Sequence, residues 1–363
     1  MSTAFGSVAI AGSWGYIGRK LLDAAIDLDL TVYAFDPGVM PSDLDASRVV
    51  RIEDESGFYQ VPADFFHLAI HAEHRQYGFA RLLERAKYES IVMLIEKPMA
   101  LPERPQDCDE IMAAVEPSSA MIFYNFPELF DPLTQHVWQF LATLSDVQIS
   151  DVFVQRSKDR EDPANPRNYK KMVSIQYQES VHCLAFVLSL LAWLQGSFSS
   201  ALASGAQIVA TSQPYVPPNP EDYPQPVDGR CEYSLQLGKT HVQGLTDFKR
   251  NAVATKRRII RGMADGQPFE IDAEYLEGRK HLLINRQRID IDSAASSYAA
   301  IVESMLRWRH DFRPVAVREG IYSNPRLAHL AYQLSSALWK SAHQGGSIDV
   351  PMIHRGALPE FKL

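Results

Sequence analysis

Gly12-Ser13-Trp14-Gly15-Tyr16-Ile17-Gly18 is a glycine-punctuated turn set between an apolar run, Ser7-Ala11, and a helical pattern, Ile17-Leu28. Each glycine has a physical use when a buried strand turns straight into a helix. The first permits the tight turn, another keeps a side chain out of the way of an approaching anion, and the last lets helix and strand pack closely. The helix N-terminus then presents free N–H groups to a phosphate. With a strand before it and an amphipathic helix after it, the turn points to pyrophosphate binding by residues 12–18, rather than to a bare change of direction.

From this turn outward the alternation repeats. Short β-rich runs at Leu30-Phe35, Val49-Ile52, Phe65-Ile70, Ile91-Ile95 and Ala120-Phe123 are separated by helical patterns at Glu73-Ala86 and Gln106-Val115. That predicts an α/β chain opening with a Rossmann domain, a doubly wound parallel sheet, over residues 1–123. The second strand ends in Asp36, where a carboxylate accepts hydrogen bonds from adenosine ribose hydroxyls and repels the extra phosphate of NADP. NAD is therefore the expected cofactor and NADP the less favoured one. Asp36-Pro37-Gly38 also reads as an ordinary turn.

After residue 124 the pattern changes to an α+β one with a large, mostly antiparallel sheet, predicted over residues 124–363. A helix at Glu128-Leu144 and a strand at Val147-Gln155 precede a polar loop, Ser157-Lys171, and a helix at Val181-Leu194 that should be buried. Strands are expected at Ala201-Thr211, Arg230-Leu237, His241-Phe248, Lys256-Met263, Pro268-Ile271 and His281-Asn285, and helices at Tyr298-Arg309 and Val317-His343. The last helices are candidates to pack back on the first domain. Pro214, Pro217, Pro218, Pro220, Pro224 and Pro226 make one connection extended and stiff, serving as a rigid link or as a lid.

Composition bounds the partners. A chain of 363 residues exceeds what one core usually supplies. Cys108, Cys183 and Cys231 are too few and scattered for a disulfide framework or a zinc site, which favours a reducing, cytoplasmic setting and no metal. A formal net charge of −8 argues against nucleic acid, and the clusters Lys256-Arg257-Arg258 and Arg286-Gln287-Arg288 read as solvated faces. Met1-Ile10 lacks the pattern of a secretory signal, and Val181-Leu194 is short for a bilayer span, so no membrane association is expected.

The fifth strand ends in Glu96-Lys97-Pro98-Met99-Ala100, and there the chain resembles the glucose-fructose oxidoreductase, inositol dehydrogenase and MocA family. The resemblance continues through Tyr124-Asn125, Phe130-Asp131-Pro132, the buried helix with His182, Arg318-Glu319-Gly320 and Ala337-Leu338. It implies a Rossmann domain joined to an open-faced sheet, homodimers or homotetramers built on that sheet, and hydride transfer at a carbinol or ketone carbon of a sugar, cyclitol, nucleotide-sugar or related small molecule. It also implies a cis bond before Pro98, cofactor contacts at Glu96 and Lys97, and His71 and His74 near the nicotinamide ribose.

Lys97, at the carboxyl end of a parallel strand, stands where α/β sheets bind ligands, and burial there would suit it to proton chemistry. His182 matches the family's acid/base histidine. The family's Asp-x-Gly-x-His reads Gln178-Glu179-Ser180-Val181-His182 here, and a glutamine can orient an imidazole or bind substrate but cannot take a proton. Lys97, His182 and Gln178 are thus the catalytic candidates. Glu179 would supply a carboxylate, although an ideal α-helix turns it about 100° away. Tyr124, Asn125, Arg156, Lys158 and Tyr177 are the other substrate-contact candidates, with Arg156 and Lys158 suited to a carboxylate or phosphate. Imine reduction on the same architecture, or an NAD-bound regulator without turnover, are the alternatives that the missing aspartate leaves open.

Overall fold

A computed structural model of the chain describes residues 6–292 and 294–350. The first five residues of Met1-Ile10 lie outside them. The chain forms two compact units, Met1–Pro132 with Ala295–His329, and Leu133–Ala294 with Leu330–Leu363.

The first unit carries a six-stranded parallel sheet of β1 (Ser7–Ala11), β2 (Thr31–Phe35), β3 (Val50–Arg51), β4 (Phe65–Leu68), β5 (Val92–Ile95) and β6 (Met121–Tyr124), in the order 3-2-1-4-5-6. The crossovers carry α1 (Tyr16–Asp27), α2 (Glu55–Phe58), α3 (Ala72–Arg85) and α4 (Asp107–Val115), and α5 (Pro127–Phe130) follows the last strand. All four residues of β4, β5 and β6 are buried, as expected of strands covered on both faces. The order reverses between β1 and β4, so the carboxyl ends of these strands open the crevice in which such sheets hold ligands.

The second unit begins within α6 (Pro132–Ala142), continues through β7 (Gln148–Ser157), a π-helical turn (Gln176–Ser180), α7 (Val181–Gln195) and α8 (Phe198–Ala201), and then enters the rest of its sheet. Those strands are β8 (Ala206–Pro214), β9 (Asp228–Leu237), β10 (Thr240–Asp247), β11 (Thr255–Ala264), β12 (Gln267–Glu274), β13 (His281–Ile284) and β14 (Gln287–Ile289). After α9 (Ser297–Asp311) and α10 (Pro314–Glu319), which belong to the first unit, α11 (Pro325–Gln344) and β15 (Ile348–Val350) end the described chain. The nine-stranded sheet runs 14-13-12-11-7-10-9-8-15 and is antiparallel except where β7 and β10 pair in parallel.

Register explains its two faces. Ile208, Leu235, Val242, Val152, Ile260 and Ile271 are neighbours across successive strands, and none is more than 1% exposed. One row away Gly244 makes room for the Tyr233 ring, since a Cβ there would lie 2.0 Å from its Cζ. The opposite face presents Val209, Ser234, Gln243, Phe153 and Ile259 in one row, partly or fully exposed. The alternation is that of a sheet packed on one side only.

Several sequence expectations are corrected. Glu128-Leu144 is two helices, because Asp131 is extended and Pro132 opens the second. Val317-His343 is also two, α10 ending at Gly320 and α11 opening on Pro325. The stretch Ala201-Thr211 starts in α8 and becomes strand only at Ala206. Gln176–Gln195 runs as 20 helical residues and is long and apolar enough to cross a membrane, but 83% of its apolar window is buried in the unit, as befits a core helix. The first unit runs to Pro132 and includes Ala295–His329. The cause is aromatic packing: the Trp308 ring lies 5.1 Å from that of Phe123 and 5.8 Å from that of Phe130, and Ser297 donates to the Asp131 carboxylate.

Candidate functional site

In the first unit the turn after β1 has the geometry its glycines allow. Gly12 has φ +78°, and a Cβ on it would meet the Ala69 carbonyl oxygen at 2.6 Å. On Gly18 a Cβ would come within 2.1 Å of the Gly12 carbonyl oxygen, so α1 can approach β1 only without one. Ser13 is fully buried and its hydroxyl donates to the Ile10 carbonyl at 2.6 Å, which ties the turn to the strand. Gly15 caps α1 without a side-chain hydrogen bond, and the first turn of α1 holds no acidic residue. That end therefore suits an anion. Tyr16 is exposed, while Ile17 and Trp14 are partly buried.

Asp36 leaves β2 beside this turn, its Oδ2 accepting from the Trp14 N–H at 3.0 Å and its Oδ1 from the Gly38 N–H at 2.8 Å. The turn reading and the ribose reading are thus compatible, because an ionised carboxylate offers about four acceptor sites and two are used. The cradle bare of side chains, the uncapped helix end and this carboxylate together fit a dinucleotide.

At the exit of β5 the side chains before Lys97 form a buried lattice that local sequence reading missed. Glu96 Oε1 accepts from His67 Nε2 at 3.0 Å and from Asn125 Nδ2 at 2.6 Å. A carboxylate acceptor requires the proton on that ring nitrogen. Arg75, its pKa lowered by burial, donates to the carbonyls of Glu96 and Pro98, the latter at 2.9 Å. Lys97, partly buried, therefore leaves a strand end gripped on both sides, and the Lys97–Pro98 bond is cis. Asn125, a substrate-contact candidate, is fully buried with its amide given to Glu96. Tyr124 is 1% exposed and lines a small pocket with Arg75 and Asp107, burial pushing its phenol up. His71 and His74 sit at the start of α3 on either side of Glu73, at 3.4 and 3.3 Å from its Oε1. Among the described residues no group of three or more ligating side chains is placed to hold a metal ion.

The second unit assembles the other candidates around the π turn. The Val181 N–H closes a five-residue step to the Gln176 carbonyl, so the turn is wider than an α-turn and its side chains fan differently. Ser180 meets Thr246 at 2.8 Å, Tyr177 donates to the Ser336 hydroxyl at 3.1 Å, and Gln176 donates to Asp228 at 2.7 Å. Glu179, 3% exposed at its side chain, accepts from Arg156 Nε and, at 2.6 Å, from Lys158 Nζ. The carboxylate expected of a ligand on Arg156 and Lys158 is here supplied by the chain itself. Gln178 is partly buried within the turn, and His182 is 4% exposed in the first turn of α7.

The cluster Lys256-Arg257-Arg258 is corrected from a solvated face. A strand alternates its sides, so Arg257 pairs outward with Asp272 at 2.8 Å, while Arg258 is fully buried over the Phe186 ring and Lys256 stands beside Arg156. The Pro214–Pro226 connection is fastened rather than loose: Tyr215 donates to the Arg160 carbonyl at 2.8 Å, and the Tyr223 hydroxyl accepts from the Met172 N–H at 2.8 Å.

No protein-family model and no curated protein sequence matches the chain. Solved structures do. A myo-inositol dehydrogenase from Corynebacterium glutamicum is 15% identical with a TM-score of 0.68, covering 96% of this chain and 99% of its own. This is the fold of the glucose-fructose oxidoreductase, inositol dehydrogenase and MocA type. A UDP-N-acetylglucosamine 3-dehydrogenase from Acidithiobacillus ferrooxidans is similar at 14% identity and a TM-score of 0.66, over 93% of this chain and 98% of that one. The WlbA dehydrogenase from Chromobacterium violaceum, solved with NADH and UDP-GlcNAcA, aligns at 13% identity and a TM-score of 0.66, over 98% of each chain. At such identities the fold is what these proteins share with this one.

Proposed function

We propose that the chain is an NAD-dependent oxidoreductase acting on a carbinol or ketone carbon of a sugar-like small molecule. The observation that carries this is the turn of residues 12–18 at the switch point of the 3-2-1-4-5-6 sheet, closed at its far side by Asp36. Residues 12–18 and the N-terminus of α1 would hold the pyrophosphate, and Asp36 the adenosine ribose. When bound, the nicotinamide supplies the hydride acceptor or donor. Lys97 and His182 are each a candidate to hold the proton of the substrate hydroxyl. Gln178, which cannot ionise, can only orient or recognise. The solved neighbours named for dehydrogenation of inositol and UDP-sugars support the sugar-like class.

Titration with NADH and NADPH, followed by mass spectrometry of small molecules carried by the native protein and turnover assays on those found, tests the reading. NADH binding that Asp36→Ala weakens, and turnover that His182→Ala lowers on the order of 10²- to 10⁴-fold with unchanged NADH affinity, are expected. Wild-type turnover by His182→Ala removes the proton role, and NADH binding without turnover of any carried ligand replaces the enzyme by a sensor. The open face of the nine-stranded sheet, with Val209 48% and Met263 43% exposed, supports self-association there.

A further inference from the structure

Arg75 is an expensive residue where it stands. It lies in the first turn of α3 and is 6% exposed, so its charge is out of water and meets the positive end of the helix dipole. Among the described residues no carboxylate makes an ion pair with it. The groups whose charge it feels are Tyr124 and Glu96, and the Glu96 carboxylate already accepts from His67 and Asn125. Its Nε is buried without a hydrogen-bond partner. The pocket beside it is mostly apolar, with Phe79, Ile95, Met99 and Ile111 among its walls, so a methionine would fill the same place with no charge to bury. Packing alone therefore does not account for an arginine.

What the side chain does is done by one nitrogen. NH1 donates to the Glu96 carbonyl and, at 2.9 Å, to the Pro98 carbonyl. The first belongs to the peptide group that enters Lys97 and the second to the one that leaves Pro98, so the guanidinium holds the chain on both sides of Lys97. Holding one carbonyl at a strand end needs no cation. At the exit of the neighbouring β6 the Tyr124 carbonyl accepts from the Ser323 hydroxyl, which is neutral. A hydroxyl has a single proton to give, whereas a terminal guanidinium nitrogen has two in a fixed plane, one for each carbonyl. The advantage of arginine here is that it spans the pair.

We propose that Arg75 is the positioning residue of Lys97: by clamping the carbonyls of residues 96 and 98 it sets the direction in which the Lys97 side chain leaves the strand end. That this direction serves proton chemistry rests on the function proposed above; that Arg75 fixes Lys97 does not. Arg75 acts through the backbone. Glu96 anchors the same strand end by its side chain, through partners that lie behind it, whereas Arg75 bears on the two peptide groups that bracket the lysine.

Acylation of the purified full-length protein by acetic anhydride, without cofactor and quantified lysine by lysine in peptides by mass spectrometry, reads Lys97 directly. The exposed Lys170 and Lys171 serve as internal standards. In Arg75→Met the Lys97 amine, partly buried in the parent, should react several-fold faster, with about tenfold as the limit set by losing one charge-assisted hydrogen bond, while the standards keep the parent rate. Guanidinium ion added to Arg75→Ala, well below denaturing concentrations, should bring the Lys97 rate back toward the parent value, a rescue that a role in stability alone does not predict. An unchanged Lys97 rate in Arg75→Met overturns the positioning role, whatever happens to stability. So does an equal acceleration of Lys97 in Ser323→Ala, which would mean that any loosened strand end frees it. Should Arg75→Met fail to fold, Arg75→Lys decides by the same rate, since an ammonium keeps the charge without the planar fork. A parallel NADH titration separates the two readings: NADH binding with an unchanged Lys97 rate sinks only the positioning role, and faster Lys97 acylation in a protein that binds no NADH sinks only the dehydrogenase.

Discussion

Replacing Glu96 by methionine removes both carboxylate oxygens from the lattice behind Lys97 while keeping nearly the same volume, so that little room opens for water. Two donors lose their acceptor, His67 Nε2 and Asn125 Nδ2, on side chains that are fully buried. A stranded buried donor costs about 1–3 kcal/mol, so Glu96→Met should cost about 2–6 kcal/mol in all. For a unit of this size that is a fall in Tm of roughly 4–24 °C. Glu96→Gln, whose amide oxygen can stand at Oε1 where both donors point, should lose less than Glu96→Met. Urea denaturation followed by circular dichroism, with tryptophan fluorescence as a second probe, gives both numbers. A Glu96→Met protein within about 0.5 kcal/mol of the parent would refute the reasoning, for it would mean that the two donors find other acceptors and the lattice does not hold the strand end.

Other consequences are open to measurement. Gly18→Ala must push α1 away from the Gly12 carbonyl, which a Cβ would approach to 2.1 Å, so NADH affinity should fall by about tenfold or more; unchanged affinity in a fluorescence titration would exclude the turn from binding. Lys158 is pushed down to about 8 in the folded protein from the ordinary lysine value of 10.5, so the unfolded chain binds more protons between those values and stability should rise with pH across that window. Lys158→Met should lack this increment, and parallel urea midpoints for the two proteins from pH 7.5 to 10.5 would contradict it. Val209→Lys, on the open sheet face, should shift any oligomer toward the 40.8 kDa chain in light scattering, and a parent already monomeric at micromolar concentration disposes of the interface.

The parallel sheet was legible because its signals are local. A strand buried on both faces is a short apolar run, and the turn after β1 needs glycine at Gly12 and Gly18 for reasons that hold in any context. The second sheet was legible as a set of strands, since β9 and β11 alternate, but not as a pairing. Arg258 shows why. In sequence it is one of three consecutive cations, and only the register against Val154 places it under α7. The partners of Glu179 are hidden for the same reason at shorter range: the π turn that carries it to Arg156 and Lys158 leaves no mark in the local pattern. Pro132 and Pro325, by contrast, were visible helix openers whose weight was underestimated beside the long apolar periodicity around them.

The return of α9 and α10 to the first unit has a bearing on how the chain is made. Ile301, Val302, Met305 and Val317 are part of the same buried cluster as Val8, Ile10 and Val92, and Trp308 packs against it. A ribosome that has delivered β6 has delivered every strand of the parallel sheet but not the side chains that seal this side of it. Until some two hundred further residues have emerged, the nascent sheet must keep an apolar flank covered by something other than its own sequence.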